Sequence, residues 1–326
     1  MKNQVKKQEI DPMIDLDRRD FLQQGLAAMA AVMIFGSPAM AGMFDVSITR
    51  EQDSTPVPGM NETNNVQMKR REAPVPEIAK LFLNEKLKFE IRFLTAKTAH
   101  GKITFKRTGR VTYTASVEAT LSGVVTTVIK HRKHVMTSSF QVDKVNGKER
   151  FVTLQFYRKQ IRTDGTRESR NEFDYLRRRW RLTKFKNGKR TKKRTRRIPK
   201  NVYYDDIVNL LFNMRAQVYG PVAPGKSFVL NTMPWSRKVK MANGKKKRVT
   251  AKTIGVHIAA ENAISDDDRK WMKQVGGKYL FIVKLDPDVY GIKSGQAKFI
   301  ADAKLKPVGA KVKDAVGFGD VVAHLV

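Results

Sequence analysis

The chain contains no cysteine. That excludes disulfide staples, thiolate metal sites, Fe–S clusters and cysteine nucleophiles. Histidine is scarce, with five in the chain, so a His-rich metal centre is not expected. Acids are scarce as well: 31 Asp and Glu stand against 64 Lys and Arg over 326 residues, a formal charge of +33. Beyond the first 41 residues, no segment reaches the roughly 18 uninterrupted apolar residues of a membrane-spanning helix. What is present is 41% hydrophobic and 9% aromatic residues. That suffices for one large core or two modest ones and excludes wholesale disorder.

Residues 1–41 read as a targeting segment. A polar start leads to Asp17-Arg18-Arg19-Asp20-Phe21-Leu22, an apolar stretch from Gly25 to Phe35, and Ser37-Pro38-Ala39-Met40-Ala41. Ala39 and Ala41 are the small residues expected before a cleavage after Ala41. Arg18 and Arg19 followed by Phe21 and Leu22 resemble a twin-arginine export signal, which implies the export machinery as a partner and a periplasmic location. An ordinary secretory signal and an uncleaved anchor are the alternatives. The segment carries five basic and five acidic residues, so its removal leaves the charge at +33. Residues 42–79 hold Pro56, Pro58, Gly59, Pro74 and Pro76 without hydrophobic periodicity, which predicts a flexible tether.

From Asn84 onward the pattern alternates. Leu87, Phe89, Ile91 and Phe93 interleave with Lys88, Glu90 and Arg92, a half-buried strand. Short strands are predicted at 103–105, 111–117, 135–142, 151–157, 172–175 and 179–185, then at 227–232, 237–241, 249–258, 278–285, 296–301, 308–312 and 319–325. Asn146-Gly147, Asp164-Gly165, Asn187-Gly188 and Asn243-Gly244 are the dipeptides of tight hairpin turns, which argues for antiparallel meanders. Asp205 is expected to cap a helix over 206–219, with Ile207, Leu210, Leu211, Met214 and Val218 on one face and Gly220-Pro221 stopping it. Ser265 caps a short helix at 266–272. The expectation is one mostly β domain over 80–326. It is a large curved antiparallel sheet or open barrel of meandering hairpins with one main α-helix at about 205–219.

Gly220-Pro221-Val222-Ala223-Pro224-Gly225-Lys226-Ser227 matches a P-loop by letters. A P-loop follows a strand and opens a helix; this segment follows a helix and opens a strand, and its prolines remove N–H donors. It reads as a turn, and the Walker-B-like run Leu280–Asp286 falls with it. His131 and His134 lie among Lys130, Arg132 and Lys133 and read as solvated basic residues. Asp266-Asp267-Asp268 suits a helix start, with weak affinity for a hard cation as the alternative. Arg215 is expected to pair with a carboxylate between helix and sheet. No catalytic residue, metal-ligand set or cofactor motif is read, so neither an enzyme nor a cofactor is expected.

Charge is the anomaly. Residues 177–200 hold 14 Lys and Arg and no acid. The candidate polyanion-binding residues there are Arg177, Arg178, Arg179, Trp180, Arg181, Lys189, Arg190, Lys192, Lys193, Arg194, Arg196 and Arg197. A second basic run supplies Lys245, Lys246, Lys247 and Arg248. Both runs straddle an Asn-Gly turn and predict hairpins that project cations from both faces, attracting polyanions by counterion release. A merely solvated basic face is the competing reading. No nucleic-acid fold signature accompanies the charge, and export separates the chain from the chromosome, which disfavours nucleic acid.

Several scattered residues carry a family resemblance: Asn84-Glu85-Lys86-Leu87, Tyr204-Asp205-Asp206, Leu210-Leu211-Phe212, Arg215, Pro224-Gly225 and Phe228. Phe299-Ile300-Ala301-Asp302, Lys306-Pro307-Val308, Gly317-Phe318-Gly319 and Leu325 continue it. Over residues 84–326 the chain resembles the bacterial envelope family called domain of unknown function 3108 (DUF3108). The resemblance implies an exported, mostly antiparallel β protein with no established activity. The basic hairpins depart from that family's usual composition. The functional expectation is a non-enzymatic periplasmic protein that binds an anionic envelope component (peptidoglycan, lipopolysaccharide or an anionic lipid surface), with Trp180 and Phe185 stacking on sugar or inserting into lipid. The alternative is a carrier that encloses an apolar ligand such as a lipid in the curved sheet.

Overall fold

The computed structural model of the protein describes residues 74–93, 96–122, 131–145, 147–240, 246–287, 294–313 and 320–326. The targeting segment with Arg18, Arg19, Phe21, Leu22, Ala39 and Ala41, the tether up to residue 73, Asn146, Asn243-Gly244, Lys245 and Gly317-Phe318-Gly319 lie outside those residues.

Among the described residues fourteen strands form one antiparallel sheet. They are β1 (Lys86–Phe93), β2 (Ala96–Arg107), β3 (Thr112–Leu121), β4 (His131–Val145), β5 (Lys148–Arg162), β6 (Gly165–Asp174), β7 (Arg179–Lys186), β8 (Lys189–Arg197), β9 (Ser227–Lys240), β10 (Lys246–Ile258), β11 (Tyr279–Lys284), β12 (Gln296–Ala301), β13 (Pro307–Val312) and β14 (Val321–Leu325). Two meanders, β1 to β8 and β9 to β14, join where β1 pairs with β14. The ends of the sheet are therefore β8 and β9, which are neighbours in sequence. No ladder joins them, so the sheet is open. The connecting segment spans the gap: Asp205 forms an isolated parallel bridge with Thr232 of β9, and the Met233 N–H donates to the Asp205 carbonyl at 3.1 Å.

Alternation drives the strands. In β3, Tyr113, Ala115, Val117, Ala119 and Leu121 are buried while their neighbours are not, the period of a sheet with one face on the core. Asn187 and Gly188 sit at φ 50° and 77°, the paired positive values of the turn expected between β7 and β8. Strand lengths differ from expectation. The runs at 227–232 and 237–241 form one strand, β9, with a register shift against β10. β5 continues to Arg162, well past Tyr157.

Three α-helices, α1 (Glu77–Lys80), α2 (Ile207–Arg215) and α3 (Asp266–Val275), and a single 3-10 turn at Glu261–Ala263 complete the described fold. Helix α2 is shorter than expected, and its cap is Asp206 rather than Asp205. The Asp206 Oδ1 accepts from the N–H groups of Val208 and Asn209 at 2.8 and 3.1 Å. Asp205 is diverted into the bridge to β9, and the backbone leaves the helix after Arg215, with Gln217 at φ 56°. Residues 218 and 219 thus lie past the helix. α1 places ordered structure where the tether was expected, because Ile78 and Ala79 bury against the core.

All nine residues of α2 are buried. The helix lies against a cluster of Phe82, Phe105, Tyr113, Phe140, Phe151 and Phe212, whose ring centroids approach to between 4.9 and 6.5 Å. Its polar residues are matched to the sheet. β6 pairs with β5 only as far as Gln155, which leaves the start of β5 without a neighbour on that side. Asn213 takes the neighbour's place: its side chain accepts from the Phe151 N–H and donates to the Phe151 carbonyl, both at 2.9 Å. Arg215 makes the expected ion pair, holding Glu85 with two bonds of 2.6 and 2.7 Å. α3 carries a second, smaller cluster, packing Met272 against Leu280, Ile300 and Val308. Ser265 caps it as expected, and Gly276 ends it in the left-handed region.

Candidate functional site

The registers of β5–β8 decide which side chains stand together. On the face turned to the core, Phe156, Asn171, Leu182 and Arg194 form one cross-strand row, and Phe173, Trp180 and Arg196 form the next. In the opposite direction along the strands, toward the β5–β6 turn, the next row is Arg158, Ser169, Lys184 and Lys192. Beyond it lie Gln160, Arg167, Lys186 and Lys189. This inner wall grades from apolar to cationic. Phe156, Phe173 and Trp180 are buried, whereas Arg158, Lys184 and Lys192 are half-buried. Neighbouring rungs of such a row are about 5 Å apart, so long cationic side chains converge.

The acids fall elsewhere. Glu168, Glu172 and Asp174 occupy the outward register of β6. Glu168 accepts from the Tyr157 hydroxyl at 2.6 Å and pairs with Lys159 at 3.7 Å, and Glu172 faces Arg181 at 3.9 Å. Asp164, in the β5–β6 turn, contacts Arg162 at 2.8 Å and Arg167 at 3.6 Å. Where β5 pairs with β6 and onward to β8, the inner register contains no carboxylate; Glu149, at the start of β5, accepts from the Ile78 N–H at 3.3 Å instead. Burial pushes the Arg158 guanidinium down to about 10. Burial, then the charges of Arg158, Lys192, Arg194 and Arg248, push the Lys184 ammonium down to about 8. Arg248 belongs to β10, at the far end of the strand order.

The expected site residues divide by face. Arg179, Arg181, Arg190, Lys193 and Arg197 are exposed on the outer register, and Phe185 is half-buried among them. Lys189, Lys192, Arg194 and Arg196 belong to the inner register. Arg177 and Arg178 form the turn before β7, where the Arg178 guanidinium donates to the Pro199 carbonyl. Lys247 and Arg248 are exposed on β10, and the backbone of Lys246 pairs with Lys240. Trp180 is a correction. It is 5% exposed, its indole N–H donates to Asn171 at 3.1 Å, and Arg196 covers its ring at 5.4 Å. It cannot stack on an external sugar, because period two turns it inward. His134 is a second correction: it shares the inner face with Met136 and is buried, not solvated. The residues missed from the sequence are Arg158, Arg162 and Arg167. Their charges are diluted by Glu168 and by apolar neighbours along the chain, and only the pairing aligns them with the hairpin.

The polar cluster at the start of α2 has a structural role. Arg150 holds Asp205 at 2.7 and 2.8 Å, Asn209 and Asn213 donate to the same carboxylate, and the Tyr219 hydroxyl donates to its second oxygen. Burial pushes the Asp205 carboxyl up against the opposing pull of Arg150. Asp206, also buried, is pushed up to about 6 despite bonds from Ser138 and Thr153. At the other end of the sheet, Ser227 Oγ lies 2.9 Å from His257 Nδ1, in an exposed cross-strand pair. Among the described residues no three His, Cys, Asp or Glu side chains gather as a metal site, and no helix is long and apolar enough to cross a membrane.

No family model matches the chain, and no curated protein matches it. Among solved structures, the chain is similar to a β-barrel-like protein of domain of unknown function DUF1849 from Brucella abortus. The two share 10% identity at a TM-score of 0.36, over 75% of this chain and 96% of that one. The fold class rests on the strand order itself.

Proposed function

We propose that the protein is an exported, non-catalytic envelope protein, akin to the DUF3108 family, that binds an anionic component of the envelope through its terminal hairpins. One observation carries the reading. The outer register of β7–β8 presents Arg179, Arg181, Arg190, Lys193 and Arg197 in the open, with Glu168, Glu172 and Asp174 of β6 as the acids alongside. Such a surface attracts peptidoglycan carboxylates, lipopolysaccharide phosphates or anionic headgroups by counterion release. Phe185 supplies an apolar contact beside the charges. The carrier alternative has weaker support, because α2 and its aromatic neighbours fill the space over β2–β5. An apolar ligand would have to displace them.

The test is charge reversal on the outer register. Arg190→Glu, Lys193→Glu and Arg197→Glu together should cut binding to purified sacculi, lipopolysaccharide micelles and phosphatidylglycerol vesicles by about tenfold or more at low salt. The melting temperature should be unchanged within a few degrees. Undiminished binding to all three surfaces would contradict the reading.

A further inference from the structure

One leucine stands fully in water at a turn that the fold holds in place. Leu176, in the turn Tyr175–Arg178 between β6 and β7, is 98% exposed. Asp174 Oδ1 accepts from the Arg177 N–H at 2.8 Å, and the Arg178 carbonyl accepts from the Ile198 N–H at 2.8 Å. The Tyr175 hydroxyl accepts from the Tyr204 N–H and donates to the Tyr204 carbonyl, each at 3.3 Å. The Tyr175 ring packs 5.0 Å from that of Tyr203. Leu176 is therefore exposed between anchored neighbours. Exposed cations stand close by. Arg177 and Arg179 follow in the chain, Arg197 pairs with Arg179 across β7–β8, and Lys200 adjoins Pro199, whose carbonyl accepts from the Arg178 guanidinium.

Single exposed apolar side chains are ordinary, but here they gather at one end of the sheet. Among the described residues the large exposed hydrophobics are Leu81, Leu83, Val111, Leu176, Val229 and Val326. Neighbouring strands alternate in direction, so the approach to β1, the β2–β3 and β6–β7 turns, the start of β9 and the exit of β14 share that end. Val111 also has an exposed cation beside it, Arg110. At the opposite end, the described turns after β5 and β7 hold Thr163, Asp164, Asn187 and Gly188. An apolar tip among cations suits a bilayer surface: the tip enters the acyl boundary, and arginine and lysine stay with the headgroup phosphates. Peptidoglycan offers carboxylates without an apolar interior, and would leave the leucine in water.

We propose that the β6–β7 turn docks on an anionic lipid surface, with Leu176 inserted between acyl chains and Arg177, Arg179, Arg197 and Lys200 on the headgroup phosphates. This rests on the anion-binding reading above and selects a bilayer as its partner.

The chain has no cysteine, so Leu176→Cys gives one labelling position in the full chain. An environment-sensitive fluorophore there should shift to the blue on adding phosphatidylglycerol vesicles, and lipids spin-labelled along the acyl chain should quench it. The same label at Thr163→Cys, at the opposite end, should do neither. Leu176→Ser should weaken vesicle partition by about 10-fold or more and leave binding to sacculi within about twofold. Leu176→Phe should retain partition. Arg177→Gln with Lys200→Gln should also weaken it by about 10-fold or more. An unshifted label at 176, an equal shift at 163, or unchanged partition of Leu176→Ser would overturn the inference. If salt-sensitive binding to sacculi or vesicles persists in those cases, the proposed function stands without lipid insertion. If no surface binds at low salt, both fall.

Discussion

Lys184 concentrates the electrostatics of the molecule in one side chain. Its ordinary pKa of 10.5 falls to about 8 in the folded protein, from burial first and then from the surrounding cations Arg158, Lys192, Arg194 and Arg248. Between pH 8 and 10.5 the unfolded chain holds this proton and the native chain releases it, so stability rises with pH across that window. Below pH 8 both states are protonated, and the cost of crowding is fully present. Lys184→Met should therefore raise the melting temperature by a few degrees at pH 7 in phosphate-free buffer. The advantage should shrink as pH is raised from 8 to about 10. Equal melting temperatures at pH 7 would contradict the crowding. The row was not legible in the sequence. Arg158 and Lys184 are 26 positions apart, and both the β5–β6 and the β6–β7 registers must be known before they share a wall.

At the scale of elements, local chemistry was readable and partner choice was not. Asn187-Gly188 announced its hairpin because few other residues accept two consecutive positive φ values. Arg215 announced an ion pair because a buried guanidinium on a helix needs a carboxylate, but Glu85 lies 130 positions away. Of two adjacent aspartates at the start of α2, the sequence favoured Asp205 as the cap. Tertiary structure made Asp206 the cap, because Asp205 is drawn off by β9 and Arg150. The full length of β5 was hidden because its last residues, Arg158 to Arg162, face a cationic wall instead of an apolar one.

Two changes test this accounting. Asp206→Ala removes both cap bonds and strands the hydroxyls of Ser138 and Thr153 in the core, and should cost about 2–4 kcal/mol in urea unfolding. Arg215→Met leaves Glu85 without its partner. It should cost about 3–5 kcal/mol, the penalty of a broken buried pair. A loss under about 1 kcal/mol in either would contradict the roles assigned to them.

Among the described residues the strands form one open sheet, and the hairpins at its two ends carry the densest runs of positive charge in the sequence. Composition foretold a basic surface, and turn spacing foretold meanders. Nothing local foretold that β1 would pair with β14 and so make the basic hairpins the termini of one sheet. An open end is a template for pairing with another chain, and lysine or arginine on such a strand blocks it. β8 is seven-ninths basic, so its charge protects the edge as well as attracting anions. Lys193→Val with Arg197→Val should accordingly give concentration-dependent oligomers in light scattering, whereas the unaltered chain should not.

The central claim is that the cations of the terminal hairpins hold an anionic envelope partner. The most direct measurement is co-sedimentation of the chain with lipid-free peptidoglycan sacculi, repeated with phosphatidylglycerol vesicles, from about 20 to 500 mM salt. Binding to at least one of them that falls steeply as salt rises is predicted. No binding to either at the lowest salt, or binding that ignores salt, would contradict the account.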